Sequence, residues 1–183
     1  MRHQDSALPP APPGAGGYRF AVIVSRFNPA ITEALREAAR TALSEAGARP
    51  EDIEELHVPG AFELPQAARC AAETGRFDAV ICLGCVVRGA TPHFEYISSA
   101  VAHGIMAAAG ETGVPIAFGV LTTDNEAQAE ERAGGGRDNK GWEAAAAAIE
   151  MAVLFRKLGR PPARPSSSRS FGFEPGAARG HDS

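Results

Sequence analysis

The residues best suited to chemistry lie in one stretch, Arg88-Gly-Ala-Thr-Pro-His93, which follows a continuous apolar run that begins at Ala79. Such a run is typical of a strand buried on both faces of a parallel sheet. A helix pattern starts near His93, with Thr91 as the predicted N-cap and Pro92 in the first helical position. A loop from a strand end to a helix start presents free backbone N–H groups and the positive end of the helix dipole. The sequence therefore predicts an anion site with an imidazole at its rim, which is the pattern of an active site.

His93 has two interpretations. A histidine in the first turn of a helix is often an ordinary surface residue. Its place beside the predicted anion site favours a general acid/base instead, because an imidazole titrates at ~6.5, close to neutral pH. The other histidines, His3, His57, His103 and His181, do not have the spacing of metal ligands, so we predict no metal.

Two motifs in the same region have the spacing of known functional sites but lack other features that those sites require. Gly84 and Gly89 have the spacing of a P-loop, but the Lys-Ser/Thr pair that must follow is missing, which disfavours a nucleoside triphosphate site. Cys82 and Cys85 have the C-x-x-C spacing of redox motifs. Residues three apart in a strand point to opposite faces, however, so a dithiol role is disfavoured and Cys85 is expected only to border the cleft.

Aromatic and polar residues also follow the other predicted strands. Phe27 and Phe62 lie in loops, where they are better placed to stack on a flat ligand than to fill the core. Glu63 would be costly to bury without a partner, and an N–H group of a ligand would satisfy it. Ligands bind at the carboxyl ends of parallel strands. These residues and the end of the fourth strand, 122–124, are therefore expected to converge on one cleft.

The elements that position these residues alternate along the chain. Apolar runs predict strands at 18–25, 53–58, 79–87 and 114–122, and helical periodicity predicts helices at 31–46, 64–75, 93–111, 124–133 and 142–158. Four strands that alternate with helices specify an α/β layered fold with a mostly parallel sheet and right-handed crossovers.

Length and composition restrict the class of protein. A chain of 183 residues is expected to hold one domain, and its net charge of −4 with a pI near 5.7 argues against a nucleic-acid partner. No apolar run approaches the ~20 residues of a membrane span, and the first residues lack the apolar segment of a secretory signal. Three cysteines in apolar surroundings favour reduced thiols and a cytoplasmic location.

The domain is expected to cover 18–159. Residues 1–17 are rich in Pro and Gly and predict a flexible N-terminal arm. Residues 160–183 are rich in Pro, Ser, Arg and Gly and predict a disordered C-terminal tail.

From 18 to 158 the chain resembles the 6,7-dimethyl-8-ribityllumazine synthases. The resemblance rests on Ser-Arg-Phe-Asn at 25–28, Val-Pro-Gly-Ala-Phe-Glu-Leu-Pro at 58–65, Gly-Cys-Val-Val-Arg-Gly-Ala-Thr-Pro-His-Phe-Glu-Tyr at 84–96, Phe-Gly-Val-Leu-Thr-Thr-Asp at 118–124, Glu-Arg-Ala-Gly at 131–134 and Asn-Lys-Gly at 139–141. Motifs in this order and at this spacing are highly specific. The departures from common members are the Gly-Gly-Gly-Arg-Asp segment at 134–138 and the tail after Gly159.

The resemblance implies a fold and a reaction. The fold is a three-layer α/β/α sandwich with a four-stranded, mostly parallel sheet of flavodoxin-like topology. The reaction is a transferase step without a cofactor, the penultimate step of riboflavin biosynthesis. It condenses 5-amino-6-(D-ribitylamino)uracil with 3,4-dihydroxy-2-butanone 4-phosphate, and the products are 6,7-dimethyl-8-ribityllumazine, phosphate and water.

The resemblance also implies a role for each residue of the site. His93 matches the histidine that transfers protons. The ribitylaminouracil site matches Phe27, Asn28, Ala61, Phe62, Glu63, Cys85, Val86, Val87 and Phe118. The site for the butanone phosphate matches Ala90, Thr91 and Arg132, and supporting roles fall to Arg88, Glu95 and Lys140.

Members of the family form homopentamers with active sites between adjacent subunits, and some pentamers assemble into icosahedral capsids. Phe27 and His93 are then expected from one subunit, and Phe118, Arg132 and Lys140 from its neighbour. A pentamer, a decamer and a 60-subunit shell all stay open, as does an association with riboflavin synthase. The alternative functions are a non-catalytic protein that binds lumazine or flavin and a shell-forming homologue, neither of which needs both His93 and Arg132.

Overall fold

The structure is a computed structural model that describes residues 11–163. The strands are β1 (Phe20–Ser25), β2 (Ile53–Val58), β3 (Ala79–Val87) and β4 (Ile116–Thr123), and the helices are α1 (Pro29–Glu45), α2 (Leu64–Glu73), α3 (His93–Thr112), α4 (Glu126–Arg132) and α5 (Lys140–Lys157). The alternation of strands and helices predicted from the sequence is confirmed.

All four strands are parallel and form one sheet in the order β2-β1-β3-β4. Parallel neighbours need crossover connections, and the crossover helices cover both faces of the sheet. Helices α1 and α5 pack together on one face, while α2 and α3 pack together on the other. The predicted three-layer sandwich with flavodoxin-like topology is therefore confirmed, and its sheet is wholly parallel.

Strand β3 is the centre of the core. Its residues from Ala79 to Cys85 are all buried, which explains why the sequence is continuously apolar there rather than alternating. Cys82 faces the core layer under α2 and α3, whereas Cys85 faces the layer under α1 and α5. The prediction that these two cysteines point to opposite faces is confirmed. Across residues 11–163, none of the helices combines the length and the apolar character that crossing a bilayer demands.

The observed element ends have local causes. Strand β4 begins at Ile116 instead of Val114, because Pro115 has no N–H group to donate to the sheet. Helix α1 begins two residues earlier than predicted, with Pro29 in its first turn. The prediction that Thr91 caps α3 is wrong. The N-cap is Pro92, which has no side-chain donor or acceptor, so α3 begins at His93 without a side-chain cap.

Both ends of the described chain are attached at the edge where the strands begin. Ala15 is buried, and its N–H donates to the Ala46 carbonyl at 2.7 Å. The buried carboxylate of Asp78 accepts the Arg19 N–H at 2.8 Å, an Arg156 guanidinium N–H at 3.1 Å and the Ala163 N–H at 3.1 Å. Packing thus reaches back to Ala15. The predicted arm before Ala11 and the predicted tail after Ala163 lie outside the described residues.

Helices α1 and α5 approach each other so closely at Gly141 that a substitution of this glycine is predicted to destabilise the fold. A Cβ atom at Gly141 of α5 would collide with the carbonyl oxygen of Leu35 on α1 and lie 2.6 Å from its carbonyl carbon. Backbone atoms cannot rotate away, so Gly141→Ala is expected to lower the free energy of unfolding by about 1–3 kcal/mol or more. Thermal unfolding measures this. Gly110→Ala on α3 is the control, because nothing lies within 4 Å of its Cβ and the substitution favours helix. Equal midpoints for the two variants would contradict the prediction.

Candidate active site

A hollow of about 370 Å³ lies at the carboxyl ends of β1, β2 and β3, and we call it the His93 hollow. Loops after these three strands form its walls, and the first turns of α3 close one side. Its lining residues are Phe27, Asn28, Gly60, Ala61, Phe62, Cys85, Val86, Val87, Gly89, Thr91, His93, Phe94 and Ile97. The predicted convergence of strand ends is therefore observed for the first three strands.

The turn from β1 to α1 presents an aromatic ring to this hollow. Asn28 adopts the left-handed backbone conformation, with φ 57° and ψ 58°, which asparagine tolerates better than most residues. Its side-chain Nδ2 donates to the Cys85 carbonyl at 3.0 Å and so ties the turn to β3. Phe27, one residue earlier, is left 68% exposed. A ring held at this exposure in a fixed turn is suited to stacking on a flat ligand.

The turn after β2 supplies a second exposed ring. Ala61–Glu63 form a short 3-10 turn in which Phe62 is 59% exposed. Glu63 Oε2 accepts the Gly60 N–H at 2.8 Å, so the carboxylate has a partner within its own chain. The expectation that only a ligand would satisfy Glu63 did not include this hydrogen bond from Gly60. Oε2 of Glu63 stabilises the turn through this hydrogen bond, and Oε1 takes no part in it.

The floor of the hollow is neutral. Burial raises the pKa of the Cys85 thiol to about 11, so this group is protonated at neutral pH. A protonated thiol is a poor nucleophile, and Cys85 therefore serves as a small side chain beside Val86 and Val87. Among residues 11–163, no three His, Cys, Asp or Glu side chains gather closely enough to hold a metal ion.

The exposed loop of residues 88–92 leads from β3 to α3 and brings His93 to the rim. Gly89 and Thr91 line the hollow, whereas Ala90 is exposed and does not. Arg88 and Glu95 also stay outside it, and the Arg88 guanidinium donates to Glu95 Oε1 at 2.5 Å. No side chain caps the N–H groups at the start of α3, although the Glu95 N–H donates to the Pro92 carbonyl at 3.1 Å. An uncapped helix start beside the imidazole is the geometry of an anion site.

Three further predicted residues line a separate hollow of about 390 Å³ between β4 and α5, which we call the Arg132 hollow; they are Phe118, Arg132 and Lys140. Phe118 is 44% exposed there. Arg132 donates to the Gln128 carbonyl at 3.3 Å, and within the described part of the chain no carboxylate pairs with it. Lys140 Nζ lies 2.7 and 2.8 Å from the two carboxylate oxygens of Glu143. The Arg132 hollow thus offers one ring and one unpaired guanidinium.

The two hollows divide the chemistry between them. The expectation that all four strand ends would meet in one cleft is wrong, because no residue of β4 lines the His93 hollow. Phe118 is the third residue of β4 at the edge of the sheet, whereas Phe27 follows β1 on the other side of β3. Stacking and proton transfer are available in the His93 hollow, and an unpaired cation for a phosphate is available in the Arg132 hollow. One chain does not bring them together.

The linings also contain residues outside the predicted set, among them Phe94, Ile97 and Glu143. Phe94 and Ile97 face the His93 hollow from the first turns of α3. Their helical spacing matches the buried face of α3 that continues at Val101, and this spacing was the available signal. Glu143 lines the Arg132 hollow, and its position three residues after Lys140 on α5 was the signal for their ion pair.

A third hollow, of about 400 Å³, contains none of the predicted site residues. It lies between α1 and the connection at 134–139. The Arg137 guanidinium covers the Trp142 ring at 5.2 Å from its centroid, and the Asn139 side chain donates to the Ala133 carbonyl at 2.7 Å. Its polar groups are used to hold the connection in place.

Comparison with known proteins identifies related sequences. The sequence profile of the family described as 6,7-dimethyl-8-ribityllumazine synthase matches residues 17–156. A protein named 6,7-dimethyl-8-ribityllumazine synthase, from Syntrophus aciditrophicus (strain SB), is 56% identical over 144 residues, which are 79% of this chain and 94% of that relative. The profile match includes every residue that lines either the His93 hollow or the Arg132 hollow.

Proposed function

Because the chain belongs to the 6,7-dimethyl-8-ribityllumazine synthase family, we propose that its two hollows are the two halves of one active site, contributed by adjacent subunits. The chain is a transferase of riboflavin biosynthesis. It condenses 5-amino-6-(D-ribitylamino)uracil with 3,4-dihydroxy-2-butanone 4-phosphate to give 6,7-dimethyl-8-ribityllumazine, phosphate and water. The observation that carries the proposal is the separation of the imidazole from the unpaired guanidinium within one chain.

The His93 hollow is suited to the ribitylaminouracil. Phe27 is the stacking ring, because it is exposed and its turn is fixed by the hydrogen bond from Asn28 to Cys85. The pyrimidine and the ribityl chain lie along Ala61, Phe62 and 85–87, which form the wall and floor, with Glu63 next to this wall in the chain. Asn28 acts mainly by holding the turn, and the free oxygen of Glu63 accepts from a ring N–H. Phe118 of the neighbour closes the stack.

The butanone phosphate binds where the two halves meet. The loop at 89–91 and the uncapped start of α3 supply backbone N–H groups for the phosphate. Arg132 of the neighbouring subunit supplies the charge, because its guanidinium has no carboxylate partner in the described chain. Lys140 lies near the phosphate end, with Glu143 as its partner until substrate arrives.

The chemistry follows from these positions. The 5-amino group of the uracil attacks the ketone, and His93 carries protons during imine formation, which releases a first water, and during loss of phosphate. Arg132 and the loop N–H groups stabilise the departing phosphate. The ribitylamino nitrogen then closes the second ring on the new carbonyl, with loss of water. No cofactor is needed, and much of the acceleration comes from holding two polar substrates together in reacting geometry.

A closed ring of subunits, a pentamer in this family, supplies the shared site. The contacts between subunits are heterologous, since the half with His93 and the half with Arg132 are different surfaces. Large apolar side chains are exposed on the elements beside these halves, as such contacts require; they are Tyr96, Met106, Phe118, Met151, Leu154 and Leu158. Assembly of pentamers into a decamer or shell, association with riboflavin synthase and a cytoplasmic location are further parts of the proposal.

Truncation of the phosphate-binding cation tests the assignment of the Arg132 hollow. We expect the purified protein to accelerate lumazine formation, followed by absorbance, far beyond the uncatalysed reaction. Arg132→Ala is expected to raise the KM for the butanone phosphate by about 10-fold or more, because a charge-assisted hydrogen bond contributes about 1.5–3 kcal/mol. The KM for the ribitylaminouracil is expected to change much less.

The control is Arg137→Ala, which removes an arginine of the same α4–α5 region that lies outside both hollows. An equal rise in both KM values for Arg132→Ala, or an equal effect of the two variants, would contradict the assignment.

A further inference from the structure

Arg88 occupies the junction between the elements that carry the two hollows. It is the first residue after β3, and its backbone N–H donates to the Thr123 carbonyl at the end of β4, at 2.9 Å. Its side chain then extends over the start of α3. The main-chain position of Arg88 is therefore fixed by the sheet, while its side chain reaches elements that the sheet does not hold.

The guanidinium makes three contacts at once. Nη1 donates to Glu95 Oε1 at 2.5 Å, and Nε donates to Asp124 Oδ1 at 2.8 Å. The guanidinium carbon lies 4.4 Å from the centroid of the Phe94 ring. Phe94 and Glu95 are the two residues that follow His93, and Asp124 lies in the connection between β4 and α4. A planar guanidinium that binds two carboxylates and stacks on a ring fixes the orientation of these three groups as well as the distances between them.

The first turn of α3 needs such a contact. The loop at 89–92 is exposed, and the N-cap Pro92 offers no side-chain hydrogen bond. His93 is itself exposed. Neither the loop nor a cap therefore fixes the direction in which the first turn of α3 presents the imidazole. Arg88, in contrast, contacts Phe94 and Glu95, the two residues that follow His93.

We propose that Arg88 is a positioning residue for the synthase reaction, acting by holding the first turn of α3 so that the His93 imidazole reaches the reacting atoms. This inference rests on the proposed role of His93. The ion pairs are half exposed and contribute little to stability, so the role of Arg88 is geometric. Proton transfer depends steeply on geometry, because a misplacement of about 1 Å costs on the order of 100-fold in rate.

The alternative is that Arg88 only stabilises the fold, and the chain offers a matched control. Arg69 of α2 also bridges two carboxylates, with Nε 2.9 Å from Glu73 Oε1 and Nη1 2.6 Å from Glu111 Oε2. It therefore ties α2 to the far end of α3, away from His93. Arg69→Met removes the same charge and the same kind of bridge without touching the first turn.

The first measurement is steady-state kinetics of Arg88→Met, Arg88→Lys and Arg69→Met. We expect Arg88→Met to lower kcat by about 10–100-fold while the KM for the ribitylaminouracil changes by about 2-fold or less. Arg88→Lys is expected to recover part of the loss, because an ammonium keeps the charge but cannot reproduce the fork. Arg69→Met is expected to retain the wild-type kcat. An unchanged kcat for Arg88→Met, or equal losses for Arg88→Met and Arg69→Met, would overturn the proposal.

The second measurement places Arg88→Met in the His93→Ala background. If Arg88 acts through His93, the additional loss there should shrink to about 3-fold or less, because residues that act as one unit are not additive. A full additional loss would show a merely structural role and overturn the proposal. If His93→Ala alone leaves kcat unchanged, the proposed role of His93 fails. If it slows the reaction and Arg88→Met does not, only the role of Arg88 fails.

Discussion

Replacement of His93 by alanine is expected to lower kcat for lumazine formation by about 100-fold or more, since positioned general acid/base catalysis contributes about 10²–10⁴-fold. The KM values of both substrates should change little, because the aromatic wall and the phosphate-binding groups are left in place. His93 lines the same hollow as Phe27 and Phe62 and lies beside the predicted phosphate position. Its removal therefore affects the reacting step more than binding. Steady-state kinetics with each substrate varied in turn separates the two effects.

His103→Ala is the matched control for this variant. His103 lies on the same helix, is exposed, and has its Nδ1 2.8 Å from the Ser99 carbonyl, far along α3 from the hollow. It should keep the wild-type kcat. A His93→Ala enzyme with nearly unchanged kcat would remove the imidazole from proton transfer. Residual activity of His93→Ala is still expected, because proximity of the two substrates does not depend on the imidazole.

Mixing two impaired variants is expected to restore activity. His93→Ala lacks one half of the site and Arg132→Ala lacks the other, and each is slow when assembled alone. In a ring with sites between neighbours, random 1:1 assembly gives about a quarter of the sites one intact half from each variant. The mixture, prepared by coexpression or by joint refolding, should therefore approach about a quarter of the wild-type rate at subsaturating butanone phosphate.

A second mixture makes this test quantitative. Wild-type chains mixed 1:1 with the double variant His93→Ala/Arg132→Ala should retain about a quarter of the wild-type rate if sites are shared, but about half if each chain holds a whole site. Failure of the two single variants to complement each other, together with half activity in this second mixture, would place the complete site in one chain. The proposed pairing of the His93 hollow with the Arg132 hollow would then be wrong.

The sequence predicts the fold well because each element carries its own signal. The apolar run of β3 is long enough to reveal a central strand, and Pro29 marks the start of α1. His93 was located in the first turn of α3 because the change from an apolar run to helical spacing is sharp there. Thr91 was assigned as the N-cap on residue type alone, yet the backbone places Pro92 at that position. Local propensity does not resolve a boundary to one residue.

Contacts between distant segments could not be predicted from the same signals. Nothing in the local sequence shows that Arg88 reaches both Glu95 and Asp124, since 36 residues separate Arg88 from Asp124. The separation of the two hollows follows from the strand order, which leaves β4 at the edge with Phe118 facing outwards. The local sequence does not show that the Gly60 N–H donates to the Glu63 carboxylate, so a ligand is predicted where the chain supplies its own partner. Residue types predict the candidate site, and the strand order places its predicted residues in two hollows.

The attachment of both ends of the described segment at one edge of the sheet has a practical consequence. Ala15 and Ala163 are held at the edge where the parallel strands begin, whereas His93 lies at the edge where they end. Strand β3, with nine residues at ~3.3 Å each, separates these edges by roughly 25–30 Å. A fluorescent label or a fused protein attached through a short linker after Ala163 would start on the side of the subunit away from substrate entry. If the proposed ring forms, labels at this position would report how many subunits of each kind it contains.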